Sequence, residues 1–170
     1  VIGHRGAPVY TTESSELSYQ IANDLGADLL EGDVVMSGDG QLVVCHDIDL
    51  SRITDVAVKY PTRGAIRTFN GVDYAGFWVD DFTWEELSTL RKPNGQGLML
   101  LDQLVTLAQS RGASLYIEIK HSGYFSARPI PMDITGTLIN LLNARGEAGY
   151  GAPFWVQSDN AEDLIRVKQS

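Results

Sequence analysis

Residues 101–120 read LDQLVTLAQSRGASLYIEIK, and the two halves of this stretch have different periods. Leu101, Leu104, Val105 and Ala108 recur at helical spacing as far as Ser110, and Gly112 stops the run. From Leu115 the period drops to two. Leu115, Ile117 and Ile119 take one face of a strand, and Glu118 and Lys120 share the other. The same alternation of helix and strand extends in both directions. Upstream, Val1–Gly3 starts a strand, and Leu17, Ile21 and Leu25 form the apolar stripe of a helix over Ser15–Leu25 that Gly26 ends. Leu29–Met36 and Leu42–His46 read as strands. Downstream, Ile134, Leu138, Leu141 and Leu142 mark a helix over Ile134–Asn143, Phe154–Ser158 is a strand, and Asp159 or Asn160 caps a last helix through Val167. The alternation predicts an α/β fold with a mostly parallel sheet.

The chain has 170 residues, 44% hydrophobic and 21% charged, which suits one globular domain with a sizeable core. Thirteen Lys and Arg against 22 Asp and Glu leave a net charge of -9. Such a balance argues against sequence-blind nucleic-acid binding, though one or two local cations can still hold a single phosphate. The single cysteine, Cys45, excludes an internal disulfide and a cysteine-based zinc site. No apolar run approaches the ~18 residues of a membrane span. The sequence opens at Val1, inside a strand-like segment without Met or leader, so the reading expects residues upstream of it.

Residues 51–98 break the alternation. Pro61, Gly64, Asn70-Gly71, Gly76 and Pro93-Asn94-Gly95 mark them as a loop-rich insertion after the third strand, within a single domain spanning 1–170. One helix is expected there, opened by a Thr83-x-x-Glu86 capping box with Leu87 and Leu90 on its buried side. Between the second and third strands, Asp39-Gly40 suits a two-residue hairpin turn. That turn makes paired positions sum to 79 and sets Asp33 opposite His46 on antiparallel strands. A wider loop from Val35 to Gln41 between parallel strands is the alternative.

Polar residues interrupt the strands at four places: Gly3-His4-Arg5-Gly6, Glu31-Gly32-Asp33, Cys45-His46-Asp47 and Glu118-Ile119-Lys120. In α/β sheets and barrels, functional groups gather at the carboxyl ends of the strands. Glu31 and Asp33 share one strand face, and burying them with Glu118 requires compensation. Three carboxylates without cysteine are the ligand set of a hard cation, Ca²⁺ or Mg²⁺, unless they lie on solvated strand faces. His4 and His46, beside an arginine and an acidic pair, suggest acid–base work. Arg5 and Lys120 supply charge for a phosphate. Asp47 either orients His46 or begins the next turn. Cys45 reads as a buried small hydrophobe in the outer apolar layer, His121 as an exposed loop residue, and Gln157 as the fifth-strand residue facing the site.

Together these segments resemble the glycerophosphodiester phosphodiesterase family, in order and in spacing. Gly26-Ala27-Asp28, Gly38-Asp39-Gly40, Arg52-x-Thr54-Asp55-Val56, and Trp155-Val156-Gln157-Ser158 extend the resemblance over nearly the whole chain. The stretch from Gly71 through Phe82-Thr83 to Leu90-Arg91 is similar to the longer, bacterial periplasmic-type members. The resemblance implies a TIM-type (β/α) barrel. By position, it makes His4 and His46 the acid–base pair, Glu31, Asp33 and Glu118 the ligands of a divalent cation, and Arg5 and Lys120 the phosphate contacts. It implies hydrolysis of small-molecule glycerophosphodiesters to glycerol 3-phosphate and an alcohol, in a periplasmic or secreted protein.

Three departures stand out. Where members carry Pro-Glu-Asn-Thr, this chain has Thr12-Glu13-Ser14-Ser15, and Glu13 is read as a first-turn helix residue favoured by the helix dipole. Where they end the fifth-strand motif Ser-Phe, it has Ser158-Asp159. About five of eight barrel strands are present, so a partial barrel with bare edges is expected. Two other functions compete. A lysophospholipase D or sphingomyelinase D-like lipid phosphodiesterase would use Phe77-Trp78 and Tyr124-Phe125 as an apolar entry. A non-catalytic phosphate-binding fragment would merely have kept the motif.

Overall fold

The computed structural model describes residues 1–69, 71–146, 149 and 151–170. Asn70, named above as a turn residue, lies outside the described residues. The elements follow in chain order as β1 (Ile2–Gly3), α1 (Glu16–Asp24), β2 (Leu29–Met36), β3 (Leu42–Val44), α2 (Val56–Lys59), β4 (Ala65–Phe69), β5 (Val72–Gly76), α3 (Trp84–Ser88), α4 (Leu101–Ser110), β6 (Ser114–Ile119), α5 (Ser122–Ser126), α6 (Ile134–Ala144), β7 (Phe154–Ser158) and α7 (Ala161–Gln169).

The five expected strands form one sheet. β1, β2, β6 and β7 run parallel in that order, and β3 pairs antiparallel with the far end of β2. Strand, helix, parallel strand is the repeating unit of a (β/α) barrel, here an incomplete one whose sheet stays open between β7 and β1. Leu115, Ile117 and Ile119 turn one face of β6 toward the helices, where they are buried with Leu104 and Val105 of α4 and Leu138 of α6. Tyr116 and Glu118, on the other face, are only half-buried.

Two sequence expectations shift. In α1 the buried positions are Ser18, Tyr19 and Ala22, whereas Leu17 is 38% exposed and Leu25 62%. At position 22 a small residue is required, because the first strand passes so close that a Cβ on Gly3 would sit 2.9 Å from that of Ala22. The second concerns the hairpin. The strands are antiparallel, but Val34 pairs with Val44 and Met36 with Leu42, one residue away from the expected register. The turn is Gly38-Asp39-Gly40, closed by the Ser37 N–H on the Gln41 carbonyl at 3.0 Å, with Gly40 at φ +83. A three-residue loop with a left-handed glycine in third place displaces the two-residue turn. Cys45 therefore stands opposite Asp33 and donates its N–H to the Asp33 carbonyl at 3.0 Å.

Residues 51–98 hold α2, the β4–β5 hairpin and α3, none of them in the main sheet. The Thr83–Glu86 capping box forms in both directions, and Leu87 and Leu90 are fully buried. The β4–β5 hairpin had no clear alternating signal. It docks on α5 through a stack of Phe69 and Tyr124 at 5.3 Å, and through Arg67 and Arg128, which both pair with the buried Asp80.

Candidate active site

The parallel strands end on one rim, and the four polar segments lie there. Register partners on parallel strands share a face. Asp33 of β2 pairs with Glu118 of β6, which pairs with Gln157 of β7; Glu31, Tyr116 and Trp155 form the row below. Gln157 thus lies beside Glu118, on the face expected of it.

Carboxylate oxygens of Glu31, Asp33 and Glu118 lie within 4.8 Å of one another. Glu31 is 2% exposed and Asp33 fully buried. The Arg5 N–H donates to Glu31 Oε2 at 2.6 Å, and Lys120 Nζ donates to Glu118 Oε1 at 2.6 Å. Arg5 Nε at 3.1 Å and Lys120 Nζ at 3.3 Å approach the two oxygens of Asp33. Neither is aligned to donate a hydrogen bond there, so these are charge contacts. Glu31 Oε1 and both Asp33 oxygens accept no hydrogen bond among the described residues. Buried acceptors are rarely left so. Burial, with the charges of Asp33 and Glu118 added, raises the Glu31 carboxyl to about 7. Burial works against the Lys120 ammonium, yet its hydrogen bond to Glu118 and the charge of Asp33 hold it above its usual range. Three converging carboxylates with free oxygens and no nitrogen or sulfur donor among them fit a hard divalent cation.

The histidines flank this cluster differently. His4 follows β1 and is exposed, and its ring has no hydrogen-bond partner among the described residues. His46, about a third exposed, has Nδ1 bound to Asp47 Oδ1 at 2.5 Å. That leaves Nε2 as the nitrogen free to exchange a proton. Of the two readings of Asp47, orientation of His46 is the one the structure bears out. Asp47 Oδ2 accepts from Arg52 Nε at 2.6 Å, and Arg52 Nη2 donates to Glu13 Oε1 at 2.6 Å. Burial opposes ionisation of Asp47, but His46 and Arg52 outweigh it and hold the carboxyl below its usual range.

Glu13 corrects the sequence reading. It precedes α1, whose cap is Ser15, and its carboxylate lies between Arg52 and Arg5, 3.4 Å from Arg5 Nη1. It is a bridge, not a dipole-stabilised helix residue. Cys45 is buried as expected, and burial pushes its thiol up to about 12. It stands opposite Asp33 in the ladder, with Lys92, Asp47 and Asp33 as its charged neighbours, so it does not belong to the outer apolar layer. His121 is exposed, as expected, and has a left-handed backbone at φ +54. Ser158, at the end of β7, donates through Oγ to Asp163 Oδ2 of α7 at 2.7 Å.

Residues 4–169 match the Glycerophosphoryl diester phosphodiesterase family. The chain belongs to this family. Among curated proteins, a glycerophosphodiester phosphodiesterase of Bacillus subtilis is 30% identical over 172 residues, covering 99% of this chain and 55% of that protein. One from Treponema pallidum is 43% identical over 94 residues, covering 55% of this chain and 24% of its own length. The chain thus spans about a quarter of one of these relatives and just over half of the other. Two solved structures cover 99% of it. A phosphodiesterase from Oleispira antarctica, in complex with the product sn-glycerol-3-phosphate, has a TM-score of 0.73 at 22% identity, with 60% of its chain covered. A glycerophosphodiester phosphodiesterase from Agrobacterium tumefaciens has 0.72 at 23%, with 61% covered. These likenesses establish the TIM-barrel fold, of which this chain forms the parallel β1-β2-β6-β7 portion.

Proposed function

We propose that this chain carries the catalytic rim of a metal-dependent hydrolase that converts glycerophosphodiesters to glycerol 3-phosphate and an alcohol. The observation that carries the reading is the carboxylate cluster: three buried oxygens of Glu31 and Asp33 without a hydrogen bond, close to Glu118 and flanked by Arg5 and Lys120. Membership of the family supports the diester chemistry, and the named relatives support the glycerophosphodiester substrate.

Glu31, Asp33 and Glu118 would hold the cation, Ca²⁺ or Mg²⁺. Such an ion supplies positive charge to the phosphate oxygens as negative charge builds on them. Arg5 and Lys120 bring two further charges to the same place and would bind the non-bridging oxygens. His46, oriented through Nδ1 by Asp47, presents Nε2 for proton transfer, and the exposed His4 at the end of β1 would be its partner. One removes a proton from the nucleophile and the other delivers one to the leaving oxygen. Such help is typically worth ~10²–10⁴-fold.

The lipid phosphodiesterase reading has the weaker support, since two of its four aromatics are buried. Trp78 and Phe125 are 3% and 0% exposed, and Tyr124 stacks on Phe69. Trp78, Phe125 and the Phe69–Tyr124 stack pack the insertion onto α5, while Phe77 and Tyr124 keep part of their surface exposed. The test is release of glycerol 3-phosphate from glycerophosphocholine by the full-length protein with Ca²⁺ or Mg²⁺, beside choline release from lysophosphatidylcholine. Turnover of the first that a chelator stops is expected; no turnover of the first, or a strong preference for the second, would overturn the proposal.

A further inference from the structure

Lys92 belongs to the loop between α3 and α4 and is 3% exposed. It opens a turn over residues 92–96, closed by its own N–H on the Gln96 carbonyl at 2.8 Å. This turn lies along residues 11–17. Asn94 Nδ2 donates to Thr11 Oγ1 at 3.0 Å, and Gln96 Oε1 accepts the Leu17 N–H at 3.0 Å. Lys92 Nζ reaches furthest in and donates to the carbonyls of Glu13 at 2.9 Å and Ser14 at 2.6 Å. Burying an ammonium is costly, and two carbonyls compensate it less well than a carboxylate. A hydrophobic residue would fill the same space without burying a charge, but would leave both carbonyls without this donor.

The peptide it holds has an uncommon backbone. Ser14 has φ +51, and its N–H donates at 2.9 Å to the carbonyl of Arg5, which has φ +55. Non-glycine residues keep such conformations only where their surroundings over-determine them. The Glu13 side chain, one residue away, joins two chains of contacts. Through Arg5 it reaches Asp33, and through Arg52 and Asp47 it reaches His46. We infer that Lys92 is a positioning residue: by clamping the Glu13 and Ser14 carbonyls, it fixes the Glu13 carboxylate between Arg5 and Arg52 and thereby couples the carboxylate cluster to the orientation of His46. The charged and titratable groups whose charge acts on it are Glu13 from the 11–17 segment, Arg52 from the turn after Asp49, and Cys45 just past β3. Burial lowers its ammonium to about 8.

The inference rests on the proposed function for its kinetic readout but not for its spectroscopic one. In the metal-free full-length protein, the His46 Nδ1–H proton signal should be visible by NMR in wild type and in Lys92→Arg, and lost to solvent exchange in Lys92→Met. An unchanged signal in Lys92→Met would overturn the inference whether or not the protein hydrolyses anything. In the metal-loaded protein, Lys92→Met should lower kcat for glycerophosphocholine about tenfold with KM within twofold, and the double variant Lys92→Met/Glu13→Gln should lose no more than Glu13→Gln alone. Additive losses, or an Nδ1–H signal lost while kcat is kept, would equally overturn it. Absence of any hydrolysis by wild type would instead sink the proposed function and leave the NMR result to decide on Lys92.

Discussion

Asp33 and Glu118 are register partners on the adjacent parallel strands β2 and β6, and Lys120 Nζ approaches both, at 3.3 Å and 2.6 Å. Two carboxylates forced onto one face of a buried ladder need a compensating charge. Lys120 supplies part of it, and the oxygens it leaves unbonded are those a cation would take.

We predict that Glu118→Ala weakens Ca²⁺ binding by at least about tenfold, since affinity for a hard cation follows ligand charge. Its activity should return in part at raised metal concentration. His46→Ala removes a proton carrier instead, so added metal should not restore it. Activity titrated with Ca²⁺ for both variants checks this; equal rescue would contradict the assigned roles.

Asp47→Asn should lower kcat by about 10²-fold with little change in KM, the low end of what acid–base groups contribute. Asp47 accepts from both His46 and Arg52, and the amide keeps the shape while reversing one hydrogen-bond role. Steady-state kinetics at saturating metal read it out.

Glu31 gives a pH dependence with a definite sign. Its carboxyl is raised to about 7 in the metal-free fold, against 4.5 ordinarily. Between these values the folded state binds more protons than the unfolded one, so this group makes stability fall as pH rises through that window. Metal binding competes with the same proton, so affinity should increase as pH climbs from about 5 to above 7. Denaturation of the metal-free protein and calorimetric Ca²⁺ titration at three pH values should move in opposite directions; parallel trends would count against Glu31 as a ligand.

Gly6 has φ +86, and a Cβ there would sit 2.4 Å from Ser18 Oγ and 2.6 Å from the Ser18 backbone carbon. Gly6→Ala should cost roughly 3 kcal/mol, from the backbone conformation and the overlap together. The displaced atoms flank Arg5, whose carbonyl accepts from Ser18 Oγ at 3.0 Å, so activity should fall as well. A variant with unchanged melting temperature would argue against this turn geometry.

Much of this was legible beforehand where periodicity was strong. α4 and β6 lie almost where residues 101–120 placed them, and the motif residues Glu31, Asp33 and Glu118 converge because strand alternation is rigid. Register across the β2–β3 turn depended on whether Gly38 or Asp39 opened the loop, a choice of one residue that sequence chemistry leaves open. The inward face of α1 departs from the leucine stripe because close packing against β1 needs the small Ala22 there, beside the buried Ser18 and Tyr19. Glu13, Arg52 and Lys92 escaped for another reason. Their roles come from contacts between segments up to 79 residues apart, which no local pattern records.

The central claim is that Glu31, Asp33 and Glu118 hold a divalent cation at this rim. Diffraction from crystals of the full-length protein grown with Ca²⁺ tests it most directly. The account predicts one ion within ~2.3–2.6 Å of oxygens from all three residues; Ca²⁺ bound elsewhere, or no ion between these carboxylates at saturating concentration, would contradict it.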